Sequence, residues 1–334
     1  MALKAESNIS ISLIIVIAIM ALPAALYATD WTGGLTTVVP GVALAIFVIG
    51  FIRRILLWAK SPVPFRIPTT CGQEKSLPWI KSAPFENPSG IPGVIGRMAL
   101  EILLFRSLFR NSDVEIIDRR PVYGSTGWLW FFGLIFHGSL LVIILRHLRF
   151  FTEPILPGIA ALSAVDGFFE LAVPTLYLSD VLLLAAVIFL FVRRIVNAQL
   201  RYISQVPDYF ALLLIAAIAA TGLWMRHIQP TDLEQVKALV MGWVTLSPYS
   251  PQSVGVVFFI HLFLICVLLA WFPFSKLMHA GGIFLSPTRN LANNSRSLRH
   301  INPWNGPVPV HTYEEYEDEF RDKMKAAGLP VEKE

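Results

Sequence analysis

Four of the seven histidines in this 334-residue chain stand among apolar residues. His137 lies inside the run WLWFFGLIFHGSLLVIIL, and His147 follows ten residues later at its end. His261 lies inside SVGVVFFIHLFLICVLLAWF, and His279 follows eighteen residues later, just past that run. Ionisable side chains at bilayer depth are costly and mark function. A lone buried histidine is usually a hydrogen-bonded structural group. Two on each of two apolar helices shift the reading toward metal ligation, because b-type haem iron takes axial imidazoles and helix bundles build cofactor sites from facing side chains. The chemistry this pattern suits is electron transfer through two haem b groups, with His137, His147, His261 and His279 as axial ligands of the iron.

Depth sets the pairing. If the first run crosses from inside to outside, His137 is its inner and His147 its outer histidine. The later run returns, which makes His261 outer and His279 inner. Like depths then pair His147 with His261 and His137 with His279, one haem near each face. Straight helices do not satisfy both pairs. Ten helical residues rise about 15 Å and eighteen about 27 Å. Either Pro273 bends the second helix or His279 sits on a non-helical segment beyond it. His227 is the competing outer candidate, and is otherwise an interfacial histidine.

The elements that must carry these residues follow from composition. The chain is 55% hydrophobic and 15% charged, with mean hydropathy +0.61, where soluble domains hold about 45–50% apolar and about 25% charged residues. This excludes a disordered chain, a nucleic-acid-binding domain and an ordinary cytosolic enzyme. Two cysteines, Cys71 and Cys266, exclude a disulfide scaffold, a four-cysteine zinc site and a cluster held by this chain alone. Six runs approach the roughly 20 apolar residues of a membrane helix: about Ile9 to Ala28, Leu35 to Ile52, Trp128 to Leu145, Leu176 to Val192, Tyr209 to Met225 and Ser253 to Phe272. The expected fold is therefore an all-α integral membrane protein with six transmembrane helices. The first run reads as a retained anchor rather than a signal peptide, since Lys4 stands beside Glu6.

Lys and Arg set the orientation. Eleven lie between Arg53 and Gly127, three follow the fourth run (Arg193, Arg194, Arg201) and eight lie from Lys276 onward, against Arg146, Arg149, Arg226 and Lys237 on the other side. Both termini and the long segment should face the cytoplasm, in a multi-pass protein of the cytoplasmic membrane. The expected organisation is a two-helix anchor (1–59), a cytoplasmic loop (60–127), a four-helix dihaem domain (128–285) and a cytoplasmic tail (286–334). Within the loop, GVIGRMALEILLFRSLFRN has apolar residues at helical spacing, suited to a helix in the membrane interface, on a partner, or covering the protein's own core. Residues 311–334 carry a net charge of −4 and the remainder +8. That acidic tail is either a solvated surface or a docking surface for a soluble subunit.

Around the haems, Arg146, Arg149 and Arg226 are candidates for propionate or quinone contacts outside, and Lys276 and Arg289 inside. Arginines at helix ends also commonly just reach the interface. Glu153, Asp166, Glu170 and His227 lie within reach of the outer face, with Asp166 and Glu170 conceivable proton acceptors. Cys266 reads as a small core residue. His300 and His311 read as solvated, and no catalytic residue is assigned.

The histidine spacings of ten and eighteen resemble those of the cytochrome b gamma subunits of respiratory nitrate reductase, over roughly the last four runs. More of the chain, through IPTTCGQEKSLPWIK, GVIGRMALEILLFRSLFRN, PTRNLANNSRSLRHINPWN and VHTYEEYEDEFRDKMKAAGLPVEKE, resembles the DsrM family, the cytochrome b membrane subunits of the sulfite-reduction-associated DsrMKJOP complex. The resemblance implies a dihaem cytochrome b exchanging electrons between menaquinol or menaquinone and a cytoplasmic iron–sulfur subunit like that of heterodisulfide reductase. It also implies the other DsrMKJOP subunits as partners and dissimilatory sulfite and sulfate metabolism as the setting. Enzyme then describes the complex better than this chain. The other classes are a transporter with a histidine proton relay, which would be colourless and usually carries internal repeats, and a non-redox membrane anchor. None involves nucleic acid.

Overall fold

In the computed structural model the described residues are 2–61, 83–167, 174–247, 249–251, 253–292 and 310–333. The PTTCGQEKSLPW segment with Cys71, together with Glu170 and His300, lies outside them. The chain is mostly helical and forms two units: Met1–Ile55 with Ile95–Phe284, and Leu56–Val94 with Leu285–Glu334.

In the first unit, α1 (Ala2–Ala28) leads through a π-helical turn (Gly34–Val38) into α2 (Val39–Ala59). Next come α3 (Ile91–Leu104), whose first turn belongs to the second unit, and α4 (Arg106–Phe109). An antiparallel hairpin follows, β1 (Ser112–Ile117) and β2 (Arg120–Ser125). Then come α5 (Gly127–His147), α6 (Pro157–Asp166), α7 (Leu178–Val196), α8 (Ala198–Ile203), α9 (Val206–His227), α10 (Leu233–Val244), α11 (Val256–Trp271) and α12 (His279–Gly282). The hairpin departs from the all-α expectation. Its two-residue loop, Asp118–Arg119, has φ of 51° and 63°, the conformation of a type I′ turn.

Five helical stretches are long and apolar enough to cross a membrane: Glu6–Ala28, Gly34–Ala59, Gly127–Phe150, Val206–His227 and Val256–Phe274. The sixth expected run is present as the 19-residue α7. It falls outside that set because Asp180, Arg193 and Arg194 all lie within it.

The core is built between these helices. α5 packs along α7, α7 along α9, α9 along α11, and α1 against both α9 and α11. Phe136, Leu183, Ala186, Val187 and Ile215 fill the α5–α7–α9 layer. Val16, Phe210, Leu214 and Leu264 join α1, α9 and α11. Among the described residues α5 and α11 do not pack along one another; they close the row from opposite ends.

In the second unit, α13 (Pro287–Asn290) is a single turn and α14 (Tyr313–Ala326) is a helix of 14 residues. Thr312 and Glu315 form a capping box at its start, and Gly328, at φ 71°, ends it. The buried Glu317 carboxylate accepts from the backbone N–H of Glu332 and Lys333, both at 2.8 Å, which pins the last residues back onto the helix.

Candidate haem-binding site

The two ends of the helical row present the four histidines. His137 and His147 come from α5, three turns apart. His261 comes from α11 and His279 from the first position of α12. The rings of His137 and His279 stand with centroids 6.0 Å apart and planes at 83°. An imidazole–metal bond is about 2 Å, so two imidazoles sharing one metal stand about 6 Å apart between centroids.

Each of the four rings has its Nδ1 engaged. His137 Nδ1 lies 2.8 Å from the Gly133 carbonyl oxygen, and His147 Nδ1 lies 2.7 Å from that of Ile143. His279 Nδ1 lies 2.9 Å from the Lys276 carbonyl. His261 Nδ1 lies 2.9 Å from Thr221 Oγ1 on α9. The Thr221 hydroxyl also reaches the carbonyls of Ala217 and Ile218, at 2.8 and 3.0 Å. With its one proton donated to a carbonyl, it accepts from the imidazole N–H. A histidine whose Nδ1–H is held this way offers Nε2 as ligand in a fixed orientation. His137, His147 and His279 are exposed and His261 is half-buried. The donor chemistry, the fixed Nδ1 and the 6.0 Å spacing of His137 from His279 fit bis-imidazole ligation of a haem iron. Among the described residues no group of three or more His, Cys, Asp or Glu side chains gathers as a metal site, so the histidines act as pairs.

The inner pair depends on a break after α11. A 3₁₀ turn at Phe272–Phe274 and an extended Ser275 (φ −110°, ψ 176°) interrupt the helix, and a second 3₁₀ turn at Lys276–Met278 leads to His279. The spacing is met by neither a bend at Pro273 alone nor a non-helical His279: the chain breaks between the two turns and His279 opens the short helix α12. α2 backs this segment closely: a Cβ on Gly50 would stand 2.8 Å from Pro273 Cβ, and one on Gly281 would stand 2.9 Å from Ile55 Cδ1. Phe47 meets Phe272 edge-on at 5.6 Å and Phe51 meets it at a tilt at 6.5 Å. Gly222 lies flush against His261, where a Cβ would stand 3.4 Å from the ring.

At the other end a buried ionic cluster adjoins His147. Arg146 reaches Asp166 (2.9 Å) and Asp180 (2.7 Å) and lies over the Tyr177 ring at 3.6 Å. Asp166 also accepts from Ser179 through its backbone N–H (2.8 Å) and hydroxyl (2.6 Å). Asp166 is thus a structural anchor rather than a loop residue, and Arg146 is committed to two carboxylates. Arg226 donates to the Thr175 carbonyl at 2.7 Å and also lies over Tyr177. Arg149 lies over Phe150. Glu153 pairs with Lys237, and Lys276 with Asp208 at 2.7 Å. His227 ends α9 with its Nε2 buried and without a hydrogen-bond partner. Cys266 is buried, as a core residue would be.

Two contributors had no distinctive sequence signal. Thr221 is one threonine in an apolar helix. Phe105, in the left-handed region between α3 and α4 (φ 48°, ψ 46°), sets its ring 4.9 Å from His137.

Residues 125–299, which include all four histidines, match the nitrate reductase gamma subunit family. The chain is 43% identical over 281 residues to the Hdr-like menaquinol oxidoreductase cytochrome b-like subunit of Archaeoglobus fulgidus, covering 82% of this chain and 84% of the relative. It is 41% identical over 280 residues to the subunit of the same name in Archaeoglobus profundus, covering 81% and 83%.

Proposed function

Because the chain belongs to the nitrate reductase gamma subunit family, we propose that it is the membrane cytochrome b subunit of a menaquinol-oxidising complex, with two haem b groups held by His147–His261 and His137–His279. The observation that carries this reading is the histidine set itself: four rings with every Nδ1 engaged, of which His137 and His279 face one another at 6.0 Å. When bound, the haems supply one-electron carriage between the two faces of the membrane. The chain's own residues orient the ligands, close the bundle around them and neutralise the buried charges beside them.

The relatives named for menaquinol oxidation and likeness to heterodisulfide reductase support menaquinone as the exchangeable substrate and a cytoplasmic iron–sulfur subunit of that kind as partner. Assignment to a DsrMKJOP-type complex in sulfite and sulfate metabolism rests on the loop and tail motifs. α7 is the sixth span in this reading: Asp180 is paired with Arg146, and Arg193 and Arg194 fall in its last turn. Six crossings put both termini in the cytoplasm, in keeping with the distribution of Lys and Arg. His227, whose buried Nε2 has no hydrogen-bond partner, is the quinone-facing candidate over Arg226, whose Nε donates to the Thr175 carbonyl, and over Arg146, whose charge is already balanced by Asp166 and Asp180.

The test is the absorption spectrum of the purified full-length chain. A dithionite-reduced b-type spectrum with two haems per chain is expected. His147→Ala or His261→Ala should each remove the same single haem, and His137→Ala or His279→Ala the other. A colourless protein, or loss of both haems from every variant, refutes the reading.

A further inference from the structure

α3 is built inside out. Its two charged residues, Arg97 and Glu101, are 4% and 7% exposed, while Ile95 and Leu103 are 63% and 67% exposed. Ala99, Ile102 and Leu104 complete that exposed face, which holds no charged or polar side chain. A helix facing water shows the opposite pattern.

The position of the helix says what covers it. The Leu104 carbonyl accepts from Trp130 Nε1 at 2.7 Å, and the Leu108 carbonyl from Thr126 Oγ1 at 3.1 Å. Phe109 packs edge-on against Trp130 at 4.8 Å, and Phe105 reaches His137. His137 is ten residues into α5, a rise of about 15 Å. The α3–α4 elbow therefore sits beside the first turns of a membrane span, level with residues that lie in the bilayer. Trp128 and Phe109, both exposed, flank it with the aromatic rings that favour the membrane–water boundary.

We propose that residues 95–109 are seated in the bilayer on the side where α5 begins, with lipid chains covering Ile95, Ala99, Ile102 and Leu103. This rests on the reading of the chain as membrane-spanning. The consequence concerns the inner histidine: the elbow that lipid holds in place is the one that sets Phe105 over His137.

The experiment uses the full chain with Cys71→Ser and Cys266→Ala, single cysteines introduced by Ile95→Cys, Leu103→Cys, Ser112→Cys and Ile17→Cys, and a nitroxide on each. Power-saturation measurements in proteoliposomes compare collision with oxygen, which enters lipid, and with a water-soluble nickel chelate. Expected is loss of nickel relaxation with retained oxygen relaxation at positions 95 and 103, matching Ile17 on α1, while Ser112 on the hairpin responds to nickel. Nickel access at 95 and 103 with Ile17 still lipid-like overturns the proposal alone. Nickel access at Ile17 as well overturns the spanning reading beneath it. Access to neither reagent at 95 and 103, in proteoliposomes reconstituted with or without the partner subunits, means that protein covers this face, and also overturns the proposal.

Discussion

Thr221→Val removes one oxygen from the surroundings of His261 and little else. That oxygen lies 2.9 Å from Nδ1 and accepts its proton, because the hydroxyl's own hydrogen is spent on the Ala217 or Ile218 carbonyl. A buried N–H left without an acceptor costs about 1–3 kcal/mol. Most of that is paid in both oxidation states and cancels from a redox potential. The remainder is the part by which ferric iron gains more than ferrous iron from an imidazole made electron-rich by its N–H bond. If it is about 0.5–1 kcal/mol, the one-electron potential rises by roughly 20–40 mV, since 59 mV corresponds to a tenfold change. The assay is a potentiometric titration of the purified chain followed at the reduced absorption band. One midpoint should rise by that amount while the His137–His279 midpoint stays, and Thr221→Ser should return it. A downward shift, an equal shift of both midpoints, or no shift at full haem content would refute the reasoning.

Arg146→Leu leaves Asp166 and Asp180 buried without their counter-charge. It should destabilise the folded chain by about 3–5 kcal/mol, read as a lower thermal midpoint of the haem-free protein; a role confined to a haem propionate would leave that midpoint unmoved. Gly50→Val drives a side chain into Pro273, a strain of about 1–3 kcal/mol on the segment carrying His279. Haem content should fall from two to one per chain with His147–His261 retained, and an unaltered content would show that α2 does not position the segment. The Glu317 carboxyl is held below the usual carboxylate range by the Glu332 backbone N–H, then by Lys333 and Arg321. A depressed folded value stabilises above the unfolded pKa and is lost as pH falls through the folded one. Protection of the Glu332 and Lys333 amides, measured as exchange relative to the intrinsic rate at each pH, should therefore fall at acid pH below the free-glutamate range, and Glu317→Gln should abolish that dependence.

Apolar runs were legible because a membrane helix is specified by length and composition alone: the run from about Trp128 to Leu145 became Gly127–Phe150, and that from about Ser253 to Phe272 became Val256–Phe274. The histidines stood out for the same reason, as polar groups where polar groups are expensive. What escaped was tertiary. The hairpin turns on Asp118–Arg119, neither of them glycine or asparagine, so its left-handed pair carries no Asn-Gly signature. Asp166, outside the apolar runs, is a conceivable proton acceptor by sequence, and nothing there signals its ion pair with Arg146 or its bonds from Ser179. Thr221 matters only because α9 brings it to α11 at the level of His261. Such facts are properties of pairs of helices, and periodicity within one helix does not encode them.

The spacings of ten and eighteen reconcile through the same tertiary contacts. From His261 to the end of α11 at Trp271 is ten helical residues, the separation of His137 from His147 on α5. At Trp271 the return helix has thus descended by the same rise, about 15 Å. Continuing straight would carry a ligand about 12 Å too deep. The eight residues from Phe272 to His279 instead run through two 3₁₀ turns and an extended serine, which moves the chain sideways and leaves His279 facing His137. Such a break is stable only if something fills the space beside it. Here that is α2, through Gly50 on Pro273 and through Phe51 and Ile55 on Gly281. The N-terminal helices are therefore more than an anchor, because His279 is held opposite His137 by the contact of α2 with the broken end of α11.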